Sequence, residues 1–102
     1  PERVNGKTKM KVRLYLQQDC KTAYTQQDID LHTLIFDDKA YEIDHIIPIS
    51  VSLDDSLSNK VLASRLENQQ KGNLTPMMAY LKGKFTDGNL EKYKESLSIV
   101  TW

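Results

Sequence analysis

At 102 residues, 39% hydrophobic and 27% charged, the chain has room for one hydrophobic core and an ordinary globular composition. Fourteen basic residues balance fourteen acidic ones, which excludes a strong whole-domain pull on a polyanion, and no apolar run approaches the length that spans a bilayer. The lone Cys20 excludes an internal disulfide and a cysteine-paired structural zinc, and favours a reducing, intracellular compartment.

No signal peptide is recognisable, and neither repeats nor low-complexity linkers divide the chain. The opening PERVNGKTK, without an initiator Met, reads as the start of a single domain, residues 1–102, excised from a larger protein. Arg3, Lys7, Lys9, Lys11 and Arg13 form a basic stretch expected to be solvated. Over the same stretch Met10, Val12, Leu14 and Leu16 alternate with Lys11, Arg13 and Tyr15, a strand periodicity, although Val12 and Leu16 also fit a helix. Asp28 to Leu34 is expected to make a short helical turn, with Ile29, Leu31, Leu34, Ile35 and Phe36 as apolar contacts.

Tyr41 and Ile43, and then Lys60 to Ala63, read as two paired strands bounded by polar turns. The loop between them runs to about fifteen residues, longer than hairpin connections and of the kind that carries function. Ser64-Arg65-Leu66-Glu67 has the S-x-x-E form of a capping box, which starts a helix at about Arg65; Gly72 stops it. Thr75 and Pro76 cap and open another helix, carrying Met77, Tyr80 and Leu81 and ending near Gly83. A last helix is expected from about Asn89, with Leu90, Tyr93, Leu97 and Val100 at helical spacing.

The order strand, long loop, strand, capped helix places Asp44 and His45 at the end of the first strand and Asn68 in the helix, an arrangement able to converge on one ion. Adjacent strand residues point to opposite faces, so Asp44 and His45 serve one phosphate only if the chain leaves strand geometry there. Pro48, which lacks an N–H and restricts Ile47, supports such a break.

The string Asp44-His45-Ile46-Ile47-Pro48, followed by Asp54-Asp55-Ser56, Asn59-Lys60-Val61-Leu62 and Glu67-Asn68-Gln69-Gln70-Lys71-Gly72-Asn73-Leu74-Thr75-Pro76, resembles the HNH nuclease domain of the CRISPR type II RNA-guided DNA endonucleases, nearest to compact members of the II-C kind. The match is close over residues 41–76 and looser over 14–30, where Cys20 to Thr25 resembles a "CLYS" segment, and it implies a helix for the N-terminal element where the alternation reads strand. It implies an α+β fold with a ββα-metal core at about residues 40–73: a two-stranded antiparallel sheet and a metal-site helix, surrounded by additional helices. By position, it makes Asp44 the carboxylate ligand, His45 the general base and Asn68 the second ligand, with Asn59 supporting the long loop and Lys71 near enough to reach a phosphate. It further implies cleavage of the DNA strand paired with a guide RNA. The guide would be held by the rest of a larger prokaryotic, cytoplasmic protein, an anti-CRISPR inhibitor protein is a further partner, and the isolated domain would be a monomer.

The chemistry suits these residue types. Hydrolysis of a phosphodiester needs a deprotonated water and stabilised charge on the phosphate oxygens; a hard ion on oxygen ligands supplies the second. One carboxylate and one amide leave most of the shell to water and substrate, which suits Mg2+, tolerates Mn2+ and disfavours zinc. Histidine, ordinarily titrating at about 6.5, accepts a proton near neutral pH. His32 reads as surface, Asp54-Asp55-Ser56 as loop structure, and Tyr80, Tyr93 and Trp102 as packing. Two other readings share the site residues: a freestanding HNH nuclease of the homing or restriction kind, and a noncatalytic module that binds nucleic acid or an inhibitor.

Overall fold

The computed structural model describes residues 6–86. Helix α1 (Gly6–Gln17) leads through an irregular segment to α2 (Leu31–Phe36), strand β1 (Tyr41–His45) and a loop containing α3 (Ile49–Ser52) and a 3-10 turn (Leu57–Asn59). Strand β2 (Lys60–Ser64) then returns antiparallel to β1, and α4 (Arg65–Lys71) and α5 (Pro76–Leu81) follow. This is the expected α+β fold. The helix expected from Asn89, with Tyr93 and Trp102, lies outside the described residues.

The strand register determines what each face meets. Ile43 pairs with Leu62, and Asp44 with Val61. A period of two puts Tyr41, Ile43 and Leu62 on one face, where they pack with Leu14, Ile29 and Leu34 of the α1 and α2 layer. Val61 and Ala63 take the other face, against Tyr24, Ala79 and Phe85. The thin sheet thus lies between two small cores, and Glu42 and Asp44 belong to the face that α4 covers.

The N-terminal element is a helix, as the family resemblance implies and against the alternation. Its inward stripe is Met10, Lys11, Leu14 and Tyr15, with Leu16 65% exposed. Lys11 departs from the solvated-charge expectation: it is 2% exposed, and its ammonium donates to the Asp38 carbonyl at 3.2 Å. Burial pushes its pKa down first and the Lys7 charge second, while Asp38, Glu42 and Asp37 oppose. The expected turn at 28–34 forms later, capped by Asp30 accepting from Thr33 N–H, and leaves Phe36 70% exposed instead of in the core.

The Ser64–Glu67 capping box forms as expected, each side chain bonding the other's backbone N–H. Glu67 also does what the motif does not announce. It is 2% exposed, and its Oε2 accepts from Thr22 Oγ1 at 2.9 Å, Tyr24 N at 3.2 Å, Thr25 Oγ1 at 2.6 Å and Thr25 N. The helix start is therefore tied to the 22–25 segment, which fixes Tyr24. Helix α4 stops at Gly72, whose φ of +55° with ψ of −133° is a backbone conformation that favours glycine. Thr75 then caps α5 with Pro76 at its first position.

Candidate functional site

Strand β1 continues through His45, which still pairs with Lys60, so the expected break does not fall at the Asp44–His45 pair. Pro48 acts only on its near neighbours, and irregular chain begins at Ile46. Because the strand is regular there, the two side chains point to opposite faces and meet different partners.

Asp44 faces α4. Its Oδ2 accepts from the Tyr24 hydroxyl at 2.7 Å and lies 3.1 Å from Lys71 Nζ. Lys71, expected to come near enough to reach a phosphate, is 1% exposed, donates to the His45 carbonyl at 3.0 Å and is a buried partner of Asp44. One turn back on the same helix face, Asn68 donates its amide N–H to Glu42 Oε1. Glu42 and Asp44, two residues apart on one strand face, thus meet Asn68 and Lys71, three residues apart on one helix face.

His45 lies on the other face at the sheet's end. Its Nε2 is 2.7 Å from Asp55 Oδ1, and Lys60 Nζ is 3.4 Å from the same oxygen. The hydrogen bond to His45 holds the Asp55 carboxyl below the usual carboxylate range, with the Lys60 hydrogen bond and charge next. Asn59 fastens the loop that carries Asp55: its Oδ1 accepts from Ile47 N–H at 2.9 Å, and its Nδ2 donates to the carbonyls of Ile47 at 3.0 Å and Asp54 at 2.8 Å. His32 is exposed, its ring beside that of Phe36.

The donor chemistry of the β1–α4 seam fits a hard divalent ion. Asn68 commits its nitrogen to Glu42, which leaves the amide oxygen as the atom that could ligate, and Asp44 and Glu42 bring carboxylates to the same seam. Among the described residues no three His, Cys, Asp or Glu side chains cluster as a closed metal cage. A sparse oxygen set completed by water and substrate is the magnesium pattern.

Sequence reasoning missed four side chains here. Glu42 was legible, because it shares a strand face with Asp44. Glu67 announced only its capping role. Tyr24 and Asp55 fall within strings that carry the family resemblance, but nothing local marks their partners, since each reaches its own through tertiary structure, across 20 and 10 residues of chain respectively.

The HNH endonuclease family profile matches residues 22–77, just over half of the chain and the whole of this strand–loop–strand–helix unit. The chain belongs to the HNH endonuclease family. This HNH domain is 46% identical over 69 residues to the CRISPR-associated endonuclease Cas9 1 of Streptococcus thermophilus, covering 68% of this chain and 6% of that protein. It is 40% identical over 87 residues to the Cas9 endonuclease of Staphylococcus aureus, covering 85% of this chain and 8% of the relative. The crystal structure of Streptococcus thermophilus Cas9 in complex with the AGAA PAM superposes with a TM-score of 0.76 at 35% identity, over 88% of this chain and 9% of that one. The chain thus spans less than a tenth of the length of these relatives, and it is an HNH domain of the Cas9 kind. No helix among the described residues is long and apolar enough to cross a membrane.

Proposed function

We propose that this domain hydrolyses the phosphodiester of the DNA strand paired with a CRISPR guide RNA, with His45 as general base and one divalent ion, Mg2+ or in its place Mn2+, held by Asp44 and Asn68. The observation that carries this reading is the seam at which Glu42 and Asp44 of β1 meet Asn68 and Lys71 of α4. Because the regular strand turns Asp44 and His45 to opposite faces, the phosphate they share has to lie at the open end of the sheet, past the His45–Lys60 pair, where irregular chain begins at Ile46. When bound, the ion supplies Lewis-acid stabilisation of charge on the phosphate oxygens. Asp44 and Asn68 bind it; Tyr24 and Lys71 fix the Asp44 carboxylate through Oδ2, and Glu42 fixes the Asn68 amide. His45 takes the proton of the attacking water as the water oxygen bonds to phosphorus, the bond from phosphorus to the 3′ oxygen breaks, and that departing oxygen takes a proton from solvent.

The balanced net charge supports a division of labour in which the rest of a larger protein holds guide RNA and DNA. The relatives found are CRISPR-associated endonucleases by name, which favours this reading over a freestanding HNH nuclease or a noncatalytic module.

The test places His45→Ala in the full-length, guide-loaded protein and follows each strand of a guided target. The guide-paired strand should stay intact while the opposite strand is still cut. Normal cleavage of the paired strand by a folded His45→Ala protein overturns the base assignment.

A further inference from the structure

Asp55 is given no role beyond loop structure by the HNH reading, yet its side chain meets that of His45. Two constraints bring it there. His45 and Lys60 form the last pair of the β1–β2 ladder, so their side chains leave the sheet on one face, and the loop passing over that face meets both. The residue before Asp55 is fastened at three points: the Asp54 carbonyl accepts from Asn59 at 2.8 Å, its N–H donates to Ser52 Oγ at 3.1 Å, and its Oδ1 accepts from Ser56 N–H at 2.9 Å. Asp55 Oδ1 then sits 2.7 Å from His45 Nε2 and 3.4 Å from Lys60 Nζ.

We propose that Asp55 is the positioning residue for the general base: it holds the His45 imidazole with the proton on Nε2, so that Nδ1 is the nitrogen that receives the proton of the attacking water. The inference rests on the reading of His45 as the base. An ionised carboxylate only accepts hydrogen bonds, so the Nε2 facing it must donate. The His45 hydrogen bond, followed by that of Lys60, holds the Asp55 carboxyl below its usual range, which keeps it ionised at neutral pH. In the neutral ring the other nitrogen is then bare. As the water oxygen bonds to phosphorus, its proton passes to Nδ1, and the imidazolium so formed keeps its Nε2–H on Asp55, whose charge stabilises it until the proton leaves to solvent. Asp55 touches neither water nor phosphate in this scheme.

Asp55→Asn tests it, because the amide presents either an acceptor or an N–H to Nε2 and no longer enforces the tautomer. Two measurements are needed. The first is the ring-nitrogen spectrum of the isotope-labelled 102-residue chain, whose two histidines, His32 and His45, are told apart by His32→Gln. It should show His45 protonated at Nε2 in the unaltered chain and shifted toward the Nδ1–H form in Asp55→Asn. The second is guided cleavage by the full-length protein: kcat should fall, by up to about 10,000-fold where an amide replaces the carboxylate that orients a catalytic imidazole, with KM for target DNA unchanged. Asp55→Glu, which keeps the acceptor, should recover part of the loss. Two results overturn the proposal: an Nδ1–H ring in the unaltered chain, or normal cleavage by Asp55→Asn while His45→Ala is inactive. Cleavage by His45→Ala itself would instead remove the base reading beneath it.

Discussion

Lys71 Nζ lies 3.1 Å from Asp44 Oδ2, with the two side chains 1% and 14% exposed. A lysine buried this far needs its partner, and the partner is the carboxylate proposed to hold the metal. Lys71→Met leaves Asp44 with the Tyr24 hydroxyl alone of these two partners. Removing one member of a buried pair costs about 3–5 kcal/mol, and the residual exposure of Asp44 places this case at the lower end. Urea unfolding should show that loss, and magnesium should narrow it, since Asp44 relieved of the competing ammonium binds a cation more tightly and the tighter binder gains more stability by mass action. A Lys71→Met protein as stable as the original, with or without magnesium, would show that the pair is incidental.

Glu67 should be the least replaceable carboxylate in the described chain. Its removal leaves the buried N–H groups of Tyr24 and Thr25 without their acceptor and opens the capping box at Ser64. With about 1–3 kcal/mol for each orphaned donor, Glu67→Ala should lose about 3 kcal/mol or more, and Glu67→Gln less. Denaturant titration of both variants reads the difference.

Asn59→Ala removes three side-chain bonds, to the Ile47 N–H, the Ile47 carbonyl and the Asp54 carbonyl. At about 1 kcal/mol each this is close to 3 kcal/mol. Exchange of the Ile47 amide proton should accelerate markedly in the variant, and unchanged protection would show that other contacts hold the loop.

Acid should release the same loop. Asp54, held low first by the Ser56 hydroxyl and then by the Ser56 N–H, and Asp55, held low first by His45 and then by Lys60, both have folded pKa values below the unfolded ones. Each therefore contributes stability that is complete above the unfolded value, about pH 4, and that is lost as pH falls through the depressed folded value. Carboxyl-carbon shifts of the two residues should hold steady from neutral pH to about 5 and inflect below the free aspartate value of about 3.9. An inflection at or above that value contradicts the assignment.

Much of this was legible in local chemistry and the rest was not. Ser64 and Glu67 stand three apart and form a capping box by geometry alone, and Thr75-Pro76 starts α5 for similarly local reasons. The N-terminal helix was hidden because Lys11 occupies a buried position on its stripe while Leu16 faces solvent, so hydrophobicity alone traced the wrong period. The burial of Lys71 was not legible, because nothing local shows that Asp44 waits across the seam. Pro48 suggested a break at Asp44–His45, but a proline acts on its immediate neighbours, and the ladder to Lys60 holds His45 in the strand. Contacts such as Tyr24 to Asp44 and Asp55 to His45 are set by the packing of whole elements and leave no trace in short windows of sequence.

The claim on which the rest depends is that the β1–α4 seam binds the divalent ion, and manganese added to the isotope-labelled chain tests it most directly, because its unpaired electrons broaden only nearby signals. Broadening should centre on Asp44 and Asn68, extend to Glu42, and vanish in Asp44→Asn. Broadening centred on Asp54 and Asp55, or none at Asp44 and Asn68 with millimolar metal, would contradict it.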